Sequence, residues 1–389
     1  MPAPDFKLQL QTLAVPGQVR RRRTLDSHCG AVVRSDGREL INFCSNDYLG
    51  LAAHPELIAA LQEGAAKFGA GAGASHLLSG HLTPHHQLEL RLAAFTRLPR
   101  ALYFSTGYMA NLGIIPALAG RGDAIFSDTL NHASLIDGAR LSRAEIVRFA
   151  HRDCTALATS LAASRSGRKL IITDAVFSMD GDLAPLPQML DLCEHHDAWL
   201  MVDDAHGFGV LGAQGRGSLA HYGLRSPRLI YMATLGKAAG VFGAFVAAES
   251  SLIEWLLQRA RTYIFTTAAP PALAHALLTS LRLIEQGDDL RANLNVRIQQ
   301  LRSALKLKRW RLLDSPTAVQ AVVIGGNEET LRVAEALYAQ GLWAPAIRPP
   351  TVAEGSSRLR ISLCATHTQQ QVHQLAEAIL KLEQQTVSQ

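Results

Sequence analysis

The chain has 389 residues, 48% of them hydrophobic, and its 38 Lys and Arg against 33 Asp and Glu give a formal charge of +5. That length and apolar content supply one large domain and a smaller one, and exclude a disordered or low-complexity protein. No apolar run of about eighteen residues is present and the N-terminus lacks the layout of a signal peptide, so a soluble cytoplasmic protein without a membrane partner is expected. Cys29, Cys44, Cys154, Cys193 and Cys364 are scattered without C-x-x-C spacing, which argues against a disulfide framework or a structural zinc site, and no metal is expected.

Residues 1–45 read as an N-terminal helix and an extended arm that turns at Asp36-Gly37. The run Arg20-Arg21-Arg22-Arg23 reads as an exposed basic turn rather than a nucleic-acid surface. Seven apolar runs follow, at 101–106, 123–128, 145–151, 169–176, 198–205, 228–234 and 243–249, each predicted as a strand buried on both faces. Helix-period segments at 107–120, 132–142, 153–165 and 185–196 separate several of them, which predicts an α/β domain with a mostly parallel seven-stranded sheet flanked by helices. The short Gly-rich loop between 228–234 and 243–249 points to an antiparallel pair there. From about 269 the pattern becomes helices at 269–287 and 288–306, a strand at Val319–Gly325, a helix at 328–341, a strand at 358–363 and a last helix from 368. The expected division is an arm at 1–45, a large domain at 46–280 and a small α+β domain at 281–389.

Lys237 carries the strongest chemical signal. It stands in Ala233-Thr234-Leu235-Gly236-Lys237-Ala238-Ala239-Gly240, an ammonium among small and apolar residues after a strand. A poorly solvated lysine is a nucleophile and Schiff-base former. Upstream, Asp203-Asp204-Ala205-His206 ends another apolar strand, and the two segments together suggest a pyridoxal 5'-phosphate (PLP) site. Such a cofactor needs a lysine for its aldehyde, an acid for its pyridinium nitrogen, a phosphate cradle, a ring-stacking group and a clamp for the substrate carboxylate. Asp203 can hold the nitrogen protonated and His206 can reach the ring hydroxyl. Thr106-Gly107-Tyr108 opens a helix whose N-terminus suits a phosphate, with Thr234 available beside it, and His132 begins a helix from which an imidazole can lie over a ring. Gly207-Phe208-Gly209-Val210-Leu211-Gly212 matches a dinucleotide fingerprint literally, which keeps an NAD-dependent oxidoreductase as a distant alternative, but a Gly-rich loop follows where a helix is required.

These residues, with Asn42–Leu51, Ser75–Gly80, Asn131–Ser134, Val176–Asp182, Val202–Gly207 and Ile347–Val352, resemble the α-oxoamine synthases over about residues 40–365. Those are fold-type I PLP enzymes that condense an amino acid with an acyl thioester and release carbon dioxide. The resemblance implies a homodimer acting on L-alanine and a pimeloyl group carried by coenzyme A (pimeloyl-CoA) or by acyl carrier protein; a sister synthase using glycine or serine is the alternative. It implies catalytic roles for Lys237, His132, Asp203 and His206. Cofactor contacts are implied for Gly107, Tyr108, Ser178 and Thr234, with Thr266 or Thr267 reaching the partner's phosphate. Substrate contacts are implied for Arg20, Asn46, His132, Arg348 and Thr351. Asp174 stands where many members of that family have glutamate.

Overall fold

The computed structural model describes residues 5–14, 19–20 and 22–387. The chain divides into two compact units, one of Met1–Gly50, Met179–Asp182 and Ala292–Gln389, the other of Leu51–Ser178 and Leu183–Arg291.

The larger unit is built on seven strands: β1 Arg100–Phe104, β2 Ala124–Asp128, β3 Glu145–Phe149, β4 Lys169–Asp174, β5 Ala198–Asp203, β6 Leu229–Thr234 and β7 Ala244–Ala248. Their order in the sheet is β1-β7-β6-β5-β4-β2-β3. Strands β2 to β6 are parallel, and β7 runs against both its neighbours. The loop between β6 and β7 is too short for the crossover that a parallel pair needs, so the reversal follows from connection length. The apolar runs are buried because helices cover the sheet: Ile125, Ile172, Met201, Ile230 and Val246 share one core with Ile114, Ile115, Leu135 and Ala139 of the helices.

The larger unit also contains the helices α1 Pro55–Phe68, α2 Thr83–Thr96, α3 Gly107–Leu118 and α4 Ala133–Ser142. Thr106 caps α3, its hydroxyl accepting from the Met109 N–H at 3.1 Å. Gly138 lets α3 and α4 touch, since a Cβ there would lie 2.8 Å from Ile115 Cδ1 and 2.9 Å from the Asn111 carbonyl. That close packing brings the starts of the two helices, Gly107 and His132, to the C-terminal edge of the sheet.

Two expectations need correction. The 145–151 run is shorter, and Glu145–Phe149 is the edge strand, with only Phe149 buried; Glu145 and Arg148 face water because β2 is its one neighbour. Helices α1 and α2 have no counterpart in the sequence reading. Helix α2 carries His85, His86, Glu89 and Arg91, so its polar composition hides the buried stripe of Leu88, Leu92 and Phe95.

The smaller unit holds a three-stranded sheet of Val32–Ser35, Arg38–Asn42 and Leu342–Trp343, and a four-stranded sheet of Arg311–Leu312, Val319–Gly325, Ser357–Ser362 and Ala346–Ile347. The Asp36-Gly37 turn is present: both residues have positive φ, 52° and 70°, as a two-residue hairpin between Ser35 and Arg38 requires. Helices Asn327–Ala339 and Gln369–Val387 belong to this unit. Of the arginine run, Arg21 lies outside the described residues.

Candidate active site

At the C-terminal ends of β4, β5 and β6 the larger unit has a cavity of about 210 Å³ lined by Gly107, Tyr108, His132, Asp174, Asp203, His206, Thr234 and Lys237, with Ser134, Ala205 and Met232 completing the wall. Ligand sites of parallel sheets sit at this edge. Lys237 lies in the loop after β6, where its Nζ is 2.8 Å from His206 Nε2. The loop is fixed by Gly240, whose N–H donates to the Lys237 carbonyl at 2.8 Å. Gly240 has φ of 70°, and a Cβ there would meet Ala52 N and the Leu51 carbonyl carbon, both at 2.7 Å, so this turn needs glycine.

The paired acids separate by environment. Asp203 faces the cavity, its Oδ2 accepting from Asn111 Nδ2 at 2.8 Å and its Oδ1 from the Ala205 N–H at 3.0 Å. Two donors fix the direction of this side chain. Asp204 is buried on the other side of the chain, where it accepts from Ser218 N–H at 2.6 Å and from the Tyr231 hydroxyl at 2.7 Å. Burial pushes its carboxyl up to about 7 against the pull of those bonds.

A relay of polar groups ties the wall together. Asn111 Nδ2 also donates to Ser134 Oγ at 2.8 Å, and that oxygen lies 2.8 Å from His132 Nδ1. The His132 N–H donates to Asp174 Oδ2 at 2.7 Å. Asp174 is fully enclosed, and burial, with the neighbouring Asp203 charge, holds its carboxyl well above the usual carboxylate range. Thr234 Oγ1 donates to the Gly243 carbonyl at 3.1 Å and accepts from Gly236 N–H at 3.2 Å. Gly107 and Tyr108 open α3, where N–H groups have no acceptor within the helix. The Tyr108 hydroxyl donates to Asp137.

Sequence reasoning missed Asn111 and Ser134. The available signal was an asparagine one helical turn after Gly107, on a face otherwise made of Ala110, Ile114 and Ile115. Of the other expected contacts, Ser178 lies in the turn after β4 and is not a lining residue of this cavity; Thr266 and Thr267 are not either, and Thr267 bridges to Ser75. In the smaller unit Arg20, Arg348 and Thr351 line a second cavity of about 670 Å³ together with Arg23, Tyr338 and Trp343. Arg348 Nη2 donates to the Val19 carbonyl at 3.5 Å, and burial with the nearby Arg20 charge lowers the pKa of its guanidinium. Asn46 Oδ1 accepts from both Arg360 Nη atoms at 3.2 Å. The loop Gly207–Gly212 leads into a single 3₁₀ turn, Ala213–Gly215, rather than the helix of a dinucleotide site.

The residues present fit PLP. An amine for an aldehyde, a twice-bonded carboxylate for a pyridinium and a helix N-terminus for a phosphate converge on one cavity. Residues 38–379 match the family model "Aminotransferase class I and II". The chain belongs to that family. Among curated class I and II relatives, the 8-amino-7-oxononanoate synthase of Janthinobacterium sp. (strain Marseille) is 61% identical over 383 residues, 97% of each chain. The enzyme of the same name from Aromatoleum aromaticum is 62% identical over 380 residues, 98% of each chain. Among solved structures, a serine palmitoyltransferase variant from S. paucimobilis with bound PLP-myriocin aldimine superposes with a TM-score of 0.93 at 32% identity, covering 99% of this chain and 98% of its own. The fold is that of the fold-type I PLP-dependent transferases.

Proposed function

We propose that this chain condenses L-alanine with a pimeloyl thioester to give 8-amino-7-oxononanoate, carbon dioxide and the free thiol, a step of biotin biosynthesis. The observation that carries the reading is that Lys237, His206 and Asp203 meet at one cavity in a chain 61% identical, over 97% of its length, to a relative of that name. A sister synthase using glycine or serine is not favoured, because the relatives near 60% identity share one name.

In the reaction a bond forms between the alanine α-carbon and the thioester carbonyl, the carbon–sulfur bond breaks, and the alanine carboxylate leaves as carbon dioxide. PLP, when bound, supplies an electron sink for the pair left at the α-carbon. Lys237 is assigned the aldehyde and, as a neutral amine, the proton of that carbon; His206, at 2.8 Å, is positioned to accept or return it. Asp203 is assigned the ring nitrogen's proton, and Asn111 with the Ala205 N–H keeps its carboxylate aimed. Gly107, Tyr108 and Thr234 are assigned to the phosphate, His132 to the ring face and Ser178 to the ring oxygen. Arg348 is the proposed clamp for the alanine carboxylate, with Asn46, Thr351 and Arg20 assigned to substrate. Homodimer formation, with Thr266 or Thr267 serving the partner's phosphate, and a cytoplasmic location belong to the same proposal. So does the division into an arm at 1–45, a cofactor domain at 46–280 and a small domain at 281–389.

The test is thiol release by purified protein given pimeloyl-CoA or pimeloyl-acyl carrier protein with alanine, glycine or serine in turn. Activity confined to alanine supports the reading. Equal turnover of glycine or serine, or a Lys237→Ala variant that turns over normally, rejects it.

A further inference from the structure

We propose that His76 and His81 form a binding site for a divalent transition-metal ion of the zinc or cobalt(II) class. None of the residues involved lines the cofactor cavity. Ring nitrogens of His76, His81 and His85 lie within 4.8 Å of one another. His85 is committed elsewhere: its Nδ1 accepts from the Leu82 N–H at 3.0 Å and its Nε2 donates to the Ala269 carbonyl at 2.8 Å. The Nδ1 atoms of His76 and His81 face each other at 2.9 Å.

With each ring's proton on Nε2, both Nδ1 atoms are left as acceptors facing the same space. His81 Nε2 lies 4.0 Å from Glu89 Oε2, outside hydrogen-bonding distance but with a carboxyl on the side away from His76, where outer groups orient metal-binding imidazoles. Glu89 is itself held by the Tyr103 N–H on Oε1 at 2.9 Å. The His76 ring is fixed by stacking on Tyr263, centroids 4.7 Å apart and planes within 6°. Two nitrogens at about 2.0–2.1 Å from a tetrahedral ion stand about 3.3 Å apart, so the pair opens by a few tenths of an ångström, and water completes the sphere. Imidazole donors with open positions select the zinc, cobalt and nickel end of the divalent series.

The test uses tag-free, chelator-treated holoenzyme titrated with cobalt(II) and with zinc, followed by equilibrium dialysis and by the cobalt ligand-field bands. One equivalent is expected to bind and to raise the melting temperature. His76→Phe keeps the stacked ring but removes the nitrogens, and His81→Asn removes the second ligand. Each should weaken binding by more than about 100-fold, beyond the loss typical of an outer-shell change. His195→Ala, at an exposed histidine beside His196 and away from the site, should change nothing. No retained ion, or binding unchanged in His76→Phe, overturns the proposal and leaves a plain hydrogen bond between two histidines.

Discussion

Asp203 and Asp204 are neighbours in sequence with opposite surroundings, and each supports a measurement. Asp203 accepts from two donors and faces the cavity, so Asp203→Asn should lower kcat by about 10²-fold or more while the protein still folds, as a catalytic carboxylate replaced at constant shape does. Asn111→Leu deletes one of those donors and should cost roughly 1–3 kcal/mol of stability along with kcat, read by denaturant melts and steady-state assays. Asp204 has a folded pKa of about 7 against an ordinary value of 3.8, so the folded state binds more protons between those values. Its contribution therefore favours folding below about pH 4 and is lost as pH rises toward 7. In Asp204→Asn the melting temperature relative to wild type should climb from pH 4 to 7 and level off above; a flat difference would contradict the assignment. Lys237 and Asp203 could be singled out from the sequence because their chemistry is unusual after an apolar strand. Asn111 could not, because what gives it meaning is a carboxylate 92 residues further on.

Helices α3 and α4 set the positions of Gly107 and His132, and the contact between them turns on a missing side chain. Gly138→Val would drive a methyl-bearing carbon into Ile115 and the Asn111 carbonyl, forcing the helices apart. Overpacking of this kind costs about 1–3 kcal/mol. The same shift disturbs Asn111 and Ser134, so cofactor affinity, followed by titration of the apoprotein, should fall with stability. Thr106→Ala, which removes only the cap, should cost about 1 kcal/mol and disturb the helix start alone. All seven sheet strands are legible as apolar runs, and six of them are buried as expected because helices cover the sheet. The edge strand Glu145–Phe149 could be placed but its exposure could not, since exposure depends on strand order. Helix α2 escapes notice because His85, Glu89 and Arg91 are satisfied by partners far along the chain: the Ala269 carbonyl, the Tyr103 N–H and Glu285.

On the scale of the whole molecule, the smaller unit is assembled from three separate stretches of chain. Arg38 donates to the Ala339 carbonyl across 301 residues, Ile41 pairs with Leu342, and Ser315 and Thr317 both donate to the Gly181 carbonyl. A fragment spanning 292–389 therefore lacks its strand partner and its buried acceptor, and should show no cooperative thermal transition when expressed alone. Adding a 1–50 peptide should restore only part of it. No helix among the described residues is long and apolar enough to cross a membrane. During translation at roughly 5–20 residues per second, the hairpin at Val32–Asn42 leaves the ribosome about 15–60 s before Leu342 exists to pair with it. For that interval the strand Arg38–Asn42 has one unpaired edge, the one Leu342–Trp343 will cover, and the nascent chain is the state in which this protein is most open to a chaperone.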